Sequence, residues 1–167
     1  KTVEIYLRVG GESDRGIGVG RWFGVRFLEN CNPPYASKSI KEFWRRGHIS
    51  LSSWFRDYLY IPLGGNQKGA ARTNLNKFIV FFATGLWHGA NWTFVLWGLW
   101  HGLFSTLEGV GAIPKRLRES RLGHVYTMLV VILGFTLFRA DTLADAEVMF
   151  AAMFTGFSMD PANTLAL

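Results

Sequence analysis

Gly85-Leu86-Trp87-His88-Gly89-Ala90-Asn91-Trp92 stands inside a run from Phe78 to Leu107 that contains no Asp, Glu, Lys or Arg. At about 1.5 Å per helical residue these thirty positions reach about 45 Å, more than the roughly 30 Å hydrocarbon core of a bilayer. A titratable imidazole, His88, falls near the middle of the run. A polar side chain at membrane depth is costly and faces a bundle interior or a water-filled cavity, which makes a functional site the default reading. On spacing alone a second reading stands beside it: a histidine that only satisfies a neighbouring helix.

Both flanks of the run are basic. Lys68, Arg72 and Lys77 precede it without an acid, and Lys115, Arg116, Arg118 and Arg121 follow against Glu119. If positive flanks mark the cytoplasmic side, the chain crosses an even number of times between them or enters and turns back. Two complete straight spans need about forty residues, so a re-entrant or broken pair is expected, with Gly85 to Asn91 as the break. One long tilted helix is the alternative. A second apolar run, 122–138, is long enough to span, with His124 as an interfacial residue at its end. Thr142 and Asp145 can cap a last amphipathic helix over 141–157, whose face is Leu143, Ala146, Phe150, Met153, Phe154 and Phe157.

Upstream, Ser39 and Glu42 have the spacing of a capping box. Ile40, Phe43, Trp44, Leu51, Trp54, Phe55 and Tyr58 then recur at threes and fours, which predicts one amphipathic helix ended by Pro62. His48 falls on that apolar stripe and faces inward, as a core histidine or as a site residue. Arg56 and Asp57 are neighbours in sequence and point apart on a helix, so they are expected to be separate anchors. Gly64-Gly65-Asn66 predicts a turn with positive φ. Before this segment, Asn30 to Ser37 is a loop around Pro33-Pro34. Residues 1–28 carry glycines at 10, 11, 16, 18, 20 and 24, which argue against a stable helix from Gly10 onward, while Glu4, Arg8 and Glu12 could form a solvated helix face.

The 167 residues are 49% hydrophobic and 16% aromatic, with seven Trp and fourteen Phe, which points to lipid or to a large aromatic core. The net charge of +6 is distributed in short clusters between apolar runs, a pattern that suits loops at an anionic membrane surface better than a nucleic-acid face. Cys31 is the sole cysteine, which excludes an internal disulfide and a cysteine metal cluster. Gly-x-Ser-x-Gly, P-loop and HExxH patterns are absent, so the common soluble hydrolase, kinase and metalloprotease chemistries lack their parts. His88 and His101, thirteen apart, would lie on opposite faces of a continuous helix and are not expected to share a metal.

His48 and His88 remain, on separate inward-facing segments. An imidazole in a dry cavity is the usual general base for a hydroxyl nucleophile, and such a pair suits acyl transfer, one ring taking the proton and the other group orienting it or polarising the carbonyl. Asn91, one turn beyond His88, could hold the tautomer or donate to an oxyanion.

Phe43-Trp44-Arg45-Arg46-x-His48-Ile49-Ser50-Leu51-Ser52-x-Trp54-Phe55-Arg56-Asp57-Tyr58-x-Tyr60-Ile61-Pro62-Leu63-Gly64-Gly65-Asn66, followed by Thr84-Gly85-Leu86-Trp87-His88-Gly89-Ala90-Asn91-Trp92, closely resembles the membrane-bound O-acyltransferase family, in its alginate O-acetylation branch. Phe138-Arg139-Ala140-Asp141 continues the match, which extends roughly from Gly16 to Phe154. The resemblance implies an all-α, multi-pass helical bundle of the bacterial inner membrane, with this chain as a piece, over 1–167, of one longer acyltransferase domain. It implies His88 as the catalytic histidine, His48 as the second polar position, and Trp87, Asn91, Arg56 and Asp57 in support. It further implies an acyl thioester donor such as acetyl-CoA, no bound metal, and an exported polysaccharide or a periplasmic acetyltransferase protein as acceptor or partner. Two departures stand out: Gly47 replaces the Trp that the family usually has before the histidine, and residues 1–37 form a poorly matching entry region, with Arg8, Glu12 and Arg15 at apolar positions. Three other readings stay open: a non-catalytic membrane scaffold or export component, an inactive remnant, and D-alanyl transfer to wall polymers.

Overall fold

The computed structural model describes residues 15–155, and every regular element among them is helical. Helix α1 (15–22) runs through Gly16, Gly18 and Gly20, against the expectation from their propensity. The glycine penalty, about 1 kcal/mol each, is entropic and graded; it taxes a helix without blocking it. A Cβ at Gly16 or Gly18 would meet nothing within 4 Å, so this face is not a close helix contact among the described residues. Glu4, Arg8, Glu12 and Phe157 lie outside those residues.

A short 3-10 turn (Pro34–Ala36) leads to α2 (Ile40–Arg46). Ser39 Oγ accepts from Glu42 N at 3.1 Å, while the Glu42 carboxylate accepts from Lys38 N at 3.0 Å, one residue further back than a standard capping box. That backbone N–H, and then Arg46 at 2.7 Å, hold the Glu42 carboxyl below its usual range. The predicted single helix is interrupted here: α2 ends at Gly47, and α3 (Ile49–Phe55) begins after His48, which takes φ 48 and ψ 50. Residues Arg56–Tyr60 widen into a π-helical turn, and the chain leaves the helix before Pro62. Gly64 and Gly65 have φ of 104 and 54, as the turn requires, whereas Asn66 does not.

The uncharged run forms a hairpin of two full helices, α4 (Gly69–His88) and α5 (Trp92–Val110). The turn falls at Gly89 to Asn91, inside the expected break, but Gly85 is helical and the helices extend past both ends of the run to include Arg72, Lys77 and Glu108. A single long helix is thereby ruled out, and so is a pair confined to thirty residues. Charged residues end an apolar stretch without ending a helix. Asn91 Oδ1 accepts from Thr93 N at 3.3 Å and starts α5. The two helices touch backbone to backbone: a Cβ on Gly85 would lie 2.5 Å from Phe94 O, and one on Gly98 would overlap Phe81 O. Small residues here set the distance between the helices.

Helix α6 (Lys115–Glu119) carries the second basic cluster, and α7 (Arg121–Arg139) returns along α5. Trp100 Nε1 donates to Val130 O at 2.9 Å across that contact. With a mean hydropathy of 1.6, α7 is the one described helix long and apolar enough to cross a membrane, and Leu122, Val125 and Leu129 on it are exposed. Helix α8 (Leu143–Thr155) follows the expected cap, with Asp145 N donating to Thr142 Oγ1 and Thr142 N to Asp145 Oδ2, both at 3.1 Å. Of its predicted face, Ala146 is buried while Leu143, Met153 and Phe154 stay exposed. The core joins Ile40 and Phe43 of α2 to Val130 and Val131 of α7. Glu108, at the far end of α5, is buried and accepts from Ile40 N at 2.8 Å and Lys41 N at 3.2 Å.

Replacing Gly98 by alanine puts a methyl group into the Phe81 carbonyl, and neither backbone can yield without parting the hairpin. Gly98→Ala is therefore expected to destabilise the detergent-solubilised complete gene product by about 1–3 kcal/mol. Its thermal unfolding midpoint measures this, and an unchanged midpoint refutes the tight-hairpin account.

Candidate active site

Four segments bring their side chains to one chamber. The C-terminal end of α4 supplies His88, the break between α2 and α3 supplies His48, α5 supplies Phe94 and Trp97, and the end of α7 supplies Phe138 and Arg139. The chamber encloses about 400 Å³. His88 is walled by edge-on rings, with centroids 5.0 Å from Trp97, 5.1 Å from Phe138 and 4.9 Å from Trp87. The His48 ring lies 6.4 Å from it. Neither imidazole makes a hydrogen bond with another described residue, so both rings keep their nitrogens for whatever enters. A hydroxyl between them would be within reach of a base, directly or through one water.

His48 reaches this place because its backbone is left-handed, and it is the sole described non-glycine residue with positive φ. Chain from the preceding loop lies in the break: Ile49 N donates to Asn30 O at 3.0 Å, Ser50 N and Ser50 Oγ donate to Asn30 Oδ1 at 2.9 and 2.8 Å, and Asn32 N donates to Arg46 O at 2.8 Å. His48 itself makes no side-chain cap. A Cβ on Gly47 would sit 3.4 Å from Phe43 O and 3.5 Å from Pro34 Cβ, so this position has ordinary room for a β-carbon.

The other expected site residues are distributed differently. Asn91 lines the chamber, but its amide is occupied: besides capping α5 it donates to Asp141 O at 2.6 Å, clipping the hairpin turn to the α7–α8 junction. Trp87 touches the His88 ring from outside the chamber and is mostly exposed. Arg56 and Asp57, expected as separate anchors, pair with each other at 2.7 and 3.2 Å on the surface. The wide π-turn and the long guanidinium arm allow a contact between neighbours that an α-helix disfavours. Trp97 lies between His88 and His101, with centroids 5.0 and 5.5 Å away, so the two histidines share no site.

Trp44 forms a partition. Its other side faces a second cavity of about 430 Å³, lined by Lys41, Arg45, Arg56 and Lys77, by hydroxyls of Ser52, Ser53 and Ser105, and by no carboxylate. Sequence reasoning missed this cationic space because its members come from three elements and each alone reads as a solvated charge. It also missed Asn30, a capping residue type twenty positions from Ser50, whose N–H it caps.

Comparison with known proteins fits this arrangement. Residues 7–113 match the model of MBOAT, the membrane-bound O-acyltransferase family, so the match takes in Arg8, Glu12 and Arg15 of the entry region. The chain is 49% identical over 157 residues to a probable alginate O-acetylase AlgI of Azotobacter vinelandii, covering 92% of this chain and 31% of the relative. It is 36% identical over 149 residues to a peptidoglycan O-acetyltransferase of Helicobacter pylori (87% and 28%), and 33% identical over 152 residues to a teichoic acid D-alanyltransferase of Bacillus subtilis (82% and 38%). The chain thus spans about a third of the length of these relatives. Over the part it spans, with both histidine segments inside the match, the chain belongs to the membrane-bound O-acyltransferase family.

Proposed function

We propose that the complete protein transfers an acetyl group from an acyl thioester to a hydroxyl of an exported polysaccharide, directly or through a periplasmic partner protein. The observation that carries this is the convergence of His88 and His48, 6.4 Å apart, in one aromatic chamber. His88 takes the proton of the acceptor hydroxyl as its oxygen bonds to the thioester carbon. The C–S bond then breaks and the thiolate leaves with that proton. His48 orients the hydroxyl or polarises the carbonyl, and the aromatic wall keeps water from competing.

The cationic cavity behind Trp44 suits a donor that carries phosphates, such as acetyl-CoA, because Lys41, Arg45 and Lys77 face it, beside an Arg56 that is paired with Asp57. Membrane placement follows the same polarity. The basic residues Lys68, Arg72 and Lys77 lie toward the start of α4, and His88 lies at its other end, about 16 Å beyond Lys77. Together with α7 and the exposed apolar side chains this supports a multi-pass protein of the bacterial inner membrane. Higher identity to the alginate-type relative than to the D-alanyltransferase favours acetyl over D-alanyl transfer.

His88→Ala in the complete gene product is expected to abolish polymer acetylation with the protein level unchanged. His88→Gln, which keeps hydrogen bonding but is no base, is expected to do the same; full function in that variant would replace the enzyme by a scaffold. Lys77→Gln combined with Arg45→Gln is expected to raise KM for a phosphate-bearing donor by roughly tenfold or more, the worth of one charged hydrogen bond, with kcat little altered. An unchanged KM removes the donor from this cavity.

A further inference from the structure

We infer that Asn30 is a positioning residue for the transfer step: it imposes the break at His48 that brings this imidazole to His88. The inference rests on the acyl-transfer reading of the histidine pair.

In an uninterrupted helix Ile49 N would donate to Arg45 O, and Ser50 N to Arg46 O. Neither bond forms here. Ile49 N goes to Asn30 O, Ser50 N goes to Asn30 Oδ1, and Arg46 O accepts from Asn32 N. Two residues of loop, Asn30 and Asn32, have taken both halves of the ladder, donors and acceptor alike. Asn30 also serves as the remote N-cap of α3, a task that normally falls to the residue before the helix, which is His48. Relieved of capping, the His48 ring is free to line the chamber. Ser50 Oγ, donating to the same Asn30 oxygen at 2.8 Å, fixes the direction of the amide.

Without the Asn30 side chain, Ser50 N and Ser50 Oγ lose their acceptor, half of the clamp is gone, and the chain at the break can shift toward the straight helix and withdraw the ring. The effect acts on geometry at the reacting centre and not on donor binding, because Asn30 lines neither cavity.

The test uses membranes carrying the complete gene product. Asn30→Ala is expected to lower kcat by about 10²-fold, as for a displacement of about 1 Å in a catalytic group, with KM for the thioester unchanged. Asn30→Asp, whose carboxylate accepts the same two bonds, is expected to keep most of the rate. Spin labels at Lys41 and Trp54 read the break without substrate: their separation changes in Asn30→Ala and not in Asn30→Asp. Wild-type kcat in Asn30→Ala, an equal loss in Asn30→Asp, or an unchanged label distance each overturn the inference. If Asn30→Ala does not reach the membrane, Ser50→Ala decides, with a smaller fall in kcat alone expected and a wild-type kcat refuting it. Should the wild type transfer no acyl group from any thioester, the functional reading fails, while the label distances still report whether Asn30 holds the break.

Discussion

A buried carboxylate fixes the position of α2, and with α2 the rest of the site. Glu108 is separated by 68 residues from Ile40, yet its two oxygens take the first N–H groups of that helix. Burying an unpaired carboxylate costs several kcal/mol. Two hydrogen bonds to a charged acceptor, each about 1.5–3 kcal/mol, together with the favourable end of the helix, offset that cost only while α2 is docked. The net gain is small and the penalty for leaving is large, so the bond specifies position more than it adds stability. The same α5 begins four residues after His88. One rigid helix therefore sets the base at its near end and, through α2, carries His48 from its far end.

The hairpin was legible because absence of charge over thirty residues is a coarse, cumulative signal. What the pattern lacked was the backbone contact at Gly85, Gly98 and Phe81, which depends on which faces meet. Hydropathy also drew the segment too short: Lys77 and Glu108 lie within the helices, half-buried or buried, one lining the cationic cavity and the other holding α2. Charges that look like boundaries in a sequence can be interior when each has a dedicated use. Arg56 and Asp57 misled in the other direction, since their divergence presumes α-helical geometry that the π-turn does not keep.

The partition between the two cavities has a character of its own. Trp44 and Trp97 bury indole N–H groups without a partner among the described residues, and both nitrogens of His101 are buried beside them in the same state. Each unpaired group costs about 1–3 kcal/mol relative to a bonded one. Such a cluster is tolerated only where aromatic packing compensates, and here the three rings meet edge to face at 5.1–5.5 Å. The wall is therefore well packed but poor in hydrogen bonds, in contrast to the break at His48, where loop and helix exchange four.

That break explains why local sequence could not announce it. A left-handed histidine costs about 1–2 kcal/mol. The loop supplies four hydrogen bonds, but a straight helix would regain two of them, so the clamp is ahead by two bonds, about 1–3 kcal/mol. The two local conformations thus lie within about 2 kcal/mol of each other, and periodicity, which sees only the straight form, predicts it. What tips the balance is tertiary: Ile40 and Phe43 are buried with α2, and Phe55 is buried with α3. A fully buried phenylalanine is worth about 1.5–3 kcal/mol, as much as the whole local difference. His48 is thus held at the site jointly, by the Asn30 bonds that bring the broken form level with the straight one and by packing on both sides of the junction.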